Sequence, residues 1–205
     1  MALINEQGRQ RVADAIAKAE DKTSGEIVAV VAADSSAYLH VPFMWAALVA
    51  LLVPWPFIHF TWMTVQNIWL IQMLVFIALL ALLLYRPLRY ALVPASTKRL
   101  RAHRRAVEQF LTQNLHTTEG RTGVLLFVSV AERYAEILAD SGIRKKVPEA
   151  EWQGIVDTLT AAIGEDRAAD GFVAAVEAIG TRLAQHFPPS TAEHTRLPNH
   201  MIVLE

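Results

Sequence analysis

The residues of this sequence that could do chemistry are few, and oxygen donors dominate them. Asp34-Ser35-Ser36 closes one short apolar run and Ser129 lies near the end of a second. A carboxylate and hydroxyls at the carboxyl ends of strands lie where open α/β sheets bind ligands. Such a cluster suits a divalent ion or a phosphoryl group. The simpler reading, which we favour, is that Asp34-Ser35-Ser36 only turns the chain. Asp140 and Glu149 flank the basic loop Arg144-Lys145-Lys146. They are candidates for a divalent ion or, as we favour, for surface ion pairs worth about 1 kcal/mol or less. Asp34 and Asp140 are thus the weak catalytic candidates, and Asp140 and Glu149 the weak metal candidates. Seven histidines are present, without HExxH or a pair at convincing ligand spacing. His186, His194 and His200 surround a proline-rich tail and read as solvated. Gly-rich phosphate loops, GxSxG and Walker sequences are absent. The chain has no cysteine, which excludes disulfides, thiolate metal sites and thiol nucleophiles.

The elements that must position these residues follow from periodicity. Asn5 is placed to cap a helix to about Asp21, with Val12, Ile16 and Ala19 at helical spacing. Glu26 to Ala33, EIVAVVAA, reads as a buried strand bounded by turn residues. Ser96 or Thr97 caps a long helix to about His116, whose apolar stripe is Leu100, Val107, Phe110, Leu111 and Leu115. Thr122 to Val130 reads as a second buried strand, and Tyr134 to Asp140 alternates as the returning arm of a β-hairpin. Ser141 to Val147 is a loop. Pro148 opens a helix that buries Trp152, Ile155, Val156, Leu159 and Ile163. A last helix, Asp170 to His186, buries Phe172, Val176, Ile179 and Leu183. The terminal MIVL is a candidate edge strand. The first strand, the long helix and the second strand make a parallel crossover unit.

That unit is interrupted. From Val41 to Tyr85 there is no Asp, Glu, Lys or Arg. Charges are costly in hydrocarbon, so spans exclude them. A crossing takes about 20 residues, so two spans fit, at about 43–62 and 68–85, joined by a tight turn near Met63 to Asn67. Pro54-Trp55-Pro56 either kinks or ends the first span. Trp45, Trp62, Trp69 and Tyr85 lie near the span ends, where aromatic belts form. His59 lies in the first span, where it either reaches the outer interface or marks a polar contact between helices. Gln72 could hydrogen-bond across the hairpin or to another copy. Two spans without ionisable groups line no obvious ion path, which disfavours a pore.

The exit of the second span is basic. Arg86, Arg89, Lys98, Arg99, Arg101, Arg104 and Arg105 follow with no acidic residue among them. Positive charge stays cytoplasmic, which puts both termini inside a bacterial cytoplasmic (inner) membrane. The interrupted crossover needs both halves on one membrane side and agrees. These seven cations are the expected lipid-headgroup contacts, each worth about 1 kcal/mol near an anionic surface. Nucleic acid is the rival partner of such a block, and its position beside a span disfavours it. The N-terminal stretch has no apolar core of signal-peptide type, so the first span is the expected insertion signal.

GEIVAVVAADSS, RTGVLLFVSVAERYAEILADSGI and PEAEWQGIVDTLTAAIGEDRAADGFVAAVEAIGTRL together resemble the TPM domain family, named for thylakoid lumen, photosystem repair and worm receptor-modulator members. The resemblance covers about residues 5–40 and 97–187. It implies a compact α/β/α sandwich, here interrupted by the transmembrane hairpin, with a tail from residue 188. Some plant members are described as acid phosphatases, some members bind calcium, and others act as maintenance or auxiliary factors for membrane proteins. Many members carry Asp-Asn-Gly before the second strand, where this chain has Arg121-Thr122-Gly123. Many open the following helix with Thr-Asp, where it has Pro148-Glu149. No acidic ligand is carried over at Arg121, and calcium is implied by the resemblance alone. Many members have an N-terminal signal and a single C-terminal anchor, whereas here the membrane segment is a hairpin inside the domain. The expected function is a two-span membrane protein whose domain is an interaction, assembly or maintenance module for a membrane-protein partner or for its own oligomer. The alternative is a membrane-bound phosphatase using a divalent cation.

Overall fold

The computed structural model describes residues 3–189 and 201–204. The chain forms two units. One is built from the stretches up to Ser35 and from Leu100 onward, the other from Ser36–Arg99.

In the first unit Asn5 caps α1 (Glu6–Glu20), its side chain accepting from the Gly8 N–H at 2.7 Å. Such a cap contributes about 1 kcal/mol. The next three strands are β1 (Glu26–Ala32), β2 (Gly123–Ser129) and β3 (Tyr134–Ala139). β1 lies parallel to β2 with Ile27 opposite Val124, and β3 returns antiparallel with Ile137 opposite Leu126. The tail strand β4 (Ile202–Leu204) adds to the free edge of β1, Ile202 opposite Val30, and the spatial order is β3-β2-β1-β4. The terminal MIVL is therefore the edge strand its sequence suggested. Every residue of β1 and β2 is buried, because both faces of the sheet are covered.

One face is covered by α1, α8 (Glu149–Gly164) and α9 (Ala168–His186), which pack Ile16, Leu159, Phe172 and Ile179 on Ile27, Val31, Leu126 and Val128. The other is covered by α6 (Ala95–Thr112), with Ala106 and Phe110 over Val30, Leu125 and Phe127. This is a mixed α/β fold with helices on both sides of a four-stranded sheet. Burying each large side chain there is worth about 1.5–3 kcal/mol.

Three expectations are corrected. The buried stripe of α6 is Ala102, Ala106 and Gln109, while Leu100, Val107 and Leu111 are exposed. Small residues let the helix lie close on the sheet. The helix also ends at Thr112, where Asn114 turns left-handed (φ 56°) into a 3-10 turn at Leu115–Thr117. The stretch read as a loop holds a short helix, α7 (Ser141–Arg144). Gly142 is required there, since a Cβ would stand 2.3 Å from the Gly120 carbonyl oxygen.

The second unit holds α2 (His40–Leu52), α3 (Pro54–Phe60), α4 (Val65–Leu83) and α5 (Arg86–Ala91). Val53 keeps helical angles (φ −56°, ψ −44°) between α2 and α3. Pro54 and Pro56 thus remove backbone donors without ending the apolar helix. Residues His40–Phe60 and Val65–Leu83 are each long and apolar enough to cross a membrane, with mean hydropathies of 1.9 and 2.1. They touch along a narrow seam of Ala46, Ala50 and Ile68, with Phe43 edge-on to Phe76 at 5.8 Å. Most other large side chains of these helices are exposed.

Candidate functional site

The polar residues gather where β1 and β2 end. Parallel pairing brings Ala32 beside Ser129. Ser35, just past the end of β1, then donates its hydroxyl to the Ser129 hydroxyl at 2.8 Å. Ser129, fully buried, donates to the Glu132 carboxylate. The carboxylate also receives the Ser35 backbone N–H, at 3.1 and 3.2 Å to its two oxygens. Glu132 itself is 8% exposed. Its position follows from the β2–β3 turn, in which Arg133 takes a left-handed φ of 51°. Backbone bonds from Val130 to Ala32 and from Ala131 to Ala33 hold that turn to the end of β1.

Chemically, this is a hydroxyl chain ending on a buried carboxylate. It can polarise the Ser35 oxygen, and it can also clasp the loop after β1 to the turn after β2. Sequence reasoning placed Ser35 and Ser129 near one another and missed Glu132. The two partners lie 97 residues apart, and the only local signal was an acid three residues after a strand-end serine.

The other candidates are not brought together. Asp34 is half-buried at the end of β1. Asp140 is buried and caps α7 instead, accepting from the Ser141 N–H at 2.5 Å, while its other oxygen has no hydrogen-bond partner among the described residues. Glu149 is exposed in the first turn of α8. Among the described residues no three metal-ligating side chains cluster. Of the expected headgroup contacts, Arg89 is 8% exposed and its guanidinium lies 5.4 Å from the Tyr90 ring centre. His186 is exposed, and its carbonyl accepts from Lys146 at 3.1 Å. His194 and His200 lie outside the described residues. His59 stacks beside Trp55 at 5.2 Å, and Gln72 is half-buried.

Two further features escaped the sequence. His103 of α6 sets its Nδ1 2.9 and 3.0 Å from the Glu136 carboxylate, which also receives the Tyr134 hydroxyl at 2.9 Å. The second is a cleft of about 450 Å³ on the opposite face of the sheet, between the β2–β3 turn and α8. Leu3, Val128, Ala135 and Ile163 make it chiefly apolar, with Ser129, Arg133, Tyr134 and Thr160 as its polar contributors.

Residues 89–182 match the profile of the TPM domain. The match takes in all of α6 and runs through most of α9. It leaves out α1 and β1, which the structure nonetheless builds into the same unit. No curated protein matches the sequence. Among solved structures, the chain is similar to the NMR structure of BA42 protein from the psychrophilic bacterium Bizionia argentinensis. The identity is 18% and the TM-score 0.61, over 98% of this chain and 94% of that one. At that identity the likeness concerns the fold alone.

Proposed function

We propose that this chain is a two-span integral membrane protein of a bacterial cytoplasmic membrane, with both termini cytoplasmic. Its TPM-like domain is an interaction, assembly or maintenance module for other membrane proteins or for its own oligomer. The observation that carries the module reading is the apolar cleft beside α8, sized for one or two side chains of a partner segment and edged by Arg133 and Thr160. The spanning reading is supported by two apolar helices whose side chains mostly face outward. It is also supported by the uninterrupted positive charge after α4. Arg86, Lys98, Arg99, Arg101, Arg104 and Arg105 then meet anionic headgroups, whereas the burial of Arg89 makes it a structural member of the set.

The experiment is purification of the intact protein in mild detergent, with identification of co-purifying chains and bound metal in one sample. A specific membrane partner or a homo-oligomer that is lost on Ile163→Arg, in a protein that still melts cooperatively, is the expected result. A lone protein whose properties ignore Ile163→Arg would discard the module.

A second reading, a membrane-bound phosphatase, is favoured by the Ser35–Ser129–Glu132 chain. Asp34, next to Ser35 in the chain, would help to hold a divalent cation such as calcium, whereas Asp140 lies at the opposite end of β2 and Glu149 is exposed on α8. Phosphate release from a generic ester that disappears in Ser35→Ala or Asp34→Asn supports this reading. Unchanged release in both variants would assign the activity to a contaminant.

A further inference from the structure

The outward face of α6 does not belong to the fold it covers. Leu100 is 50% exposed, Val107 37% and Leu111 51%. At 100° per residue these three fall within one narrow stripe along about 16 Å of helix. Arg104 falls on the edge of the same stripe, and Arg101 and Arg105 follow it round one flank. The inner face, Ala102, Ala106 and Gln109, is fully committed to the sheet. Of the cations of α6, Arg105 has an acidic partner, Glu108 at 3.2 Å. Among the described residues neither Arg101 nor Arg104 has one. Three exposed apolar side chains in line with unpaired arginines combine the two elements of interfacial helices, which sink one face to the headgroup–acyl boundary. A protein groove would supply the apolar contact but would need carboxylates placed to meet both guanidinium groups. An anionic bilayer supplies both.

We infer that α6 is an in-plane membrane helix that seats Leu100, Val107 and Leu111 in the acyl boundary of an anionic leaflet, with Arg101 and Arg104 on lipid phosphates. The inference rests on the reading that α2 to α4 span the bilayer, and it goes further by making the domain's own surface helix part of the membrane contact. α6 starts at Ala95, after a connector of residues 84–94 that contains α5 and follows the end of α4 at Leu83, so a spanning α4 would tether α6 at high effective concentration near the bilayer.

The absence of native cysteine allows the full-length protein to be spin-labelled at single sites. Labels at Leu100→Cys, Val107→Cys and Leu111→Cys are compared in reconstituted bilayers of phosphatidylcholine alone and with phosphatidylglycerol. Leu74→Cys serves as the spanning control and Thr158→Cys as the aqueous one. The expected result is a severalfold rise in oxygen-over-nickel accessibility at the three ridge sites, in the anionic bilayers only. Arg101→Gln and Arg104→Gln should each lower the docked-to-undocked ratio roughly fivefold. Ridge labels that stay aqueous while Leu74→Cys reads as lipid overturn the inference and leave the spans intact. Ridge labels shielded from both reagents, with spin–spin broadening between copies, overturn it in favour of a protein interface. An aqueous reading at Leu74→Cys removes the spanning premise and this inference with it.

Discussion

Two regions of this molecule are equally apolar in sequence and opposite in structure. In β1 and β2 every residue is buried, with Ile27, Val31, Leu126 and Val128 on one face and Val30, Leu125 and Phe127 on the other. In α4, a longer apolar run, Ile68 is the one buried residue. The strands satisfy their apolar surface within their own chain. The helices of the hairpin bury little beyond the Ala46–Ala50–Ile68 seam and leave most of their other large side chains exposed. Hydrophobic composition therefore carries two meanings here, and what separates them is whether the chain supplies enough apolar surface to cover the run.

The contrast can be broken by substitution. Phe172→Ala removes a fully buried ring between the sheet and α9. It should cost about 3–5 kcal/mol, read as a lowered unfolding midpoint in detergent. Leu74→Ala, at a position 58% exposed, should leave the same midpoint nearly unmoved. A comparable loss from both would mean the hairpin is a packed core. Leu74→Arg should next carry an insertion penalty of about 2.5–3.5 kcal/mol, visible as protein lost from the membrane fraction, because hydrocarbon punishes a charge that water would welcome. Glu132→Ala leaves the Ser35 N–H and the buried Ser129 hydroxyl without their acceptor, which should cost about 1–3 kcal/mol. Hydrogen exchange should then quicken at the loop after β1 while α9 keeps its protection. Asn5→Ala should cost about 1 kcal/mol through the lost cap, with fraying confined to the start of α1.

The sequence was most legible where one force acted alone. The β-branched run of β1 and the alternation of β3 led directly to a parallel pair and a hairpin. Asn5 capped the helix it was placed to cap. It was least legible where two forces competed. In α6 the larger apolar residues were read as the buried face, yet the sheet selects Ala102 and Ala106 for close approach and leaves Leu100, Val107 and Leu111 outside. Pro54 and Pro56 were ambiguous because proline both removes donors and tolerates a helical φ, and Val53 keeps helical angles between α2 and α3. Of the candidate site, Ser35 and Ser129 could be predicted from strand ends. Glu132 could not, because one of its partners, Ser35, comes from the far side of the inserted hairpin and the other, Ser129 three residues earlier, is by itself a weak local signal. Asp140 was read as a surface ion-pair partner or, more weakly, a ligand, and it is a cap, a role that depended on a short helix the local pattern did not announce.

The wide separation between β1 and β2 has a consequence for how the protein is made. A ribosome adds about 5–20 residues per second. β1 therefore emerges several seconds or more before the strand it must pair with, and in that interval the two apolar helices are synthesised. During that interval a strand with no polar face has no partner, and, on the two-span reading proposed above, the next part of the same chain is being handed to the membrane-insertion machinery. An unpaired apolar strand is exposed to aggregation for that time. Slowing elongation after the hairpin should lengthen that exposure and lower the yield of folded protein.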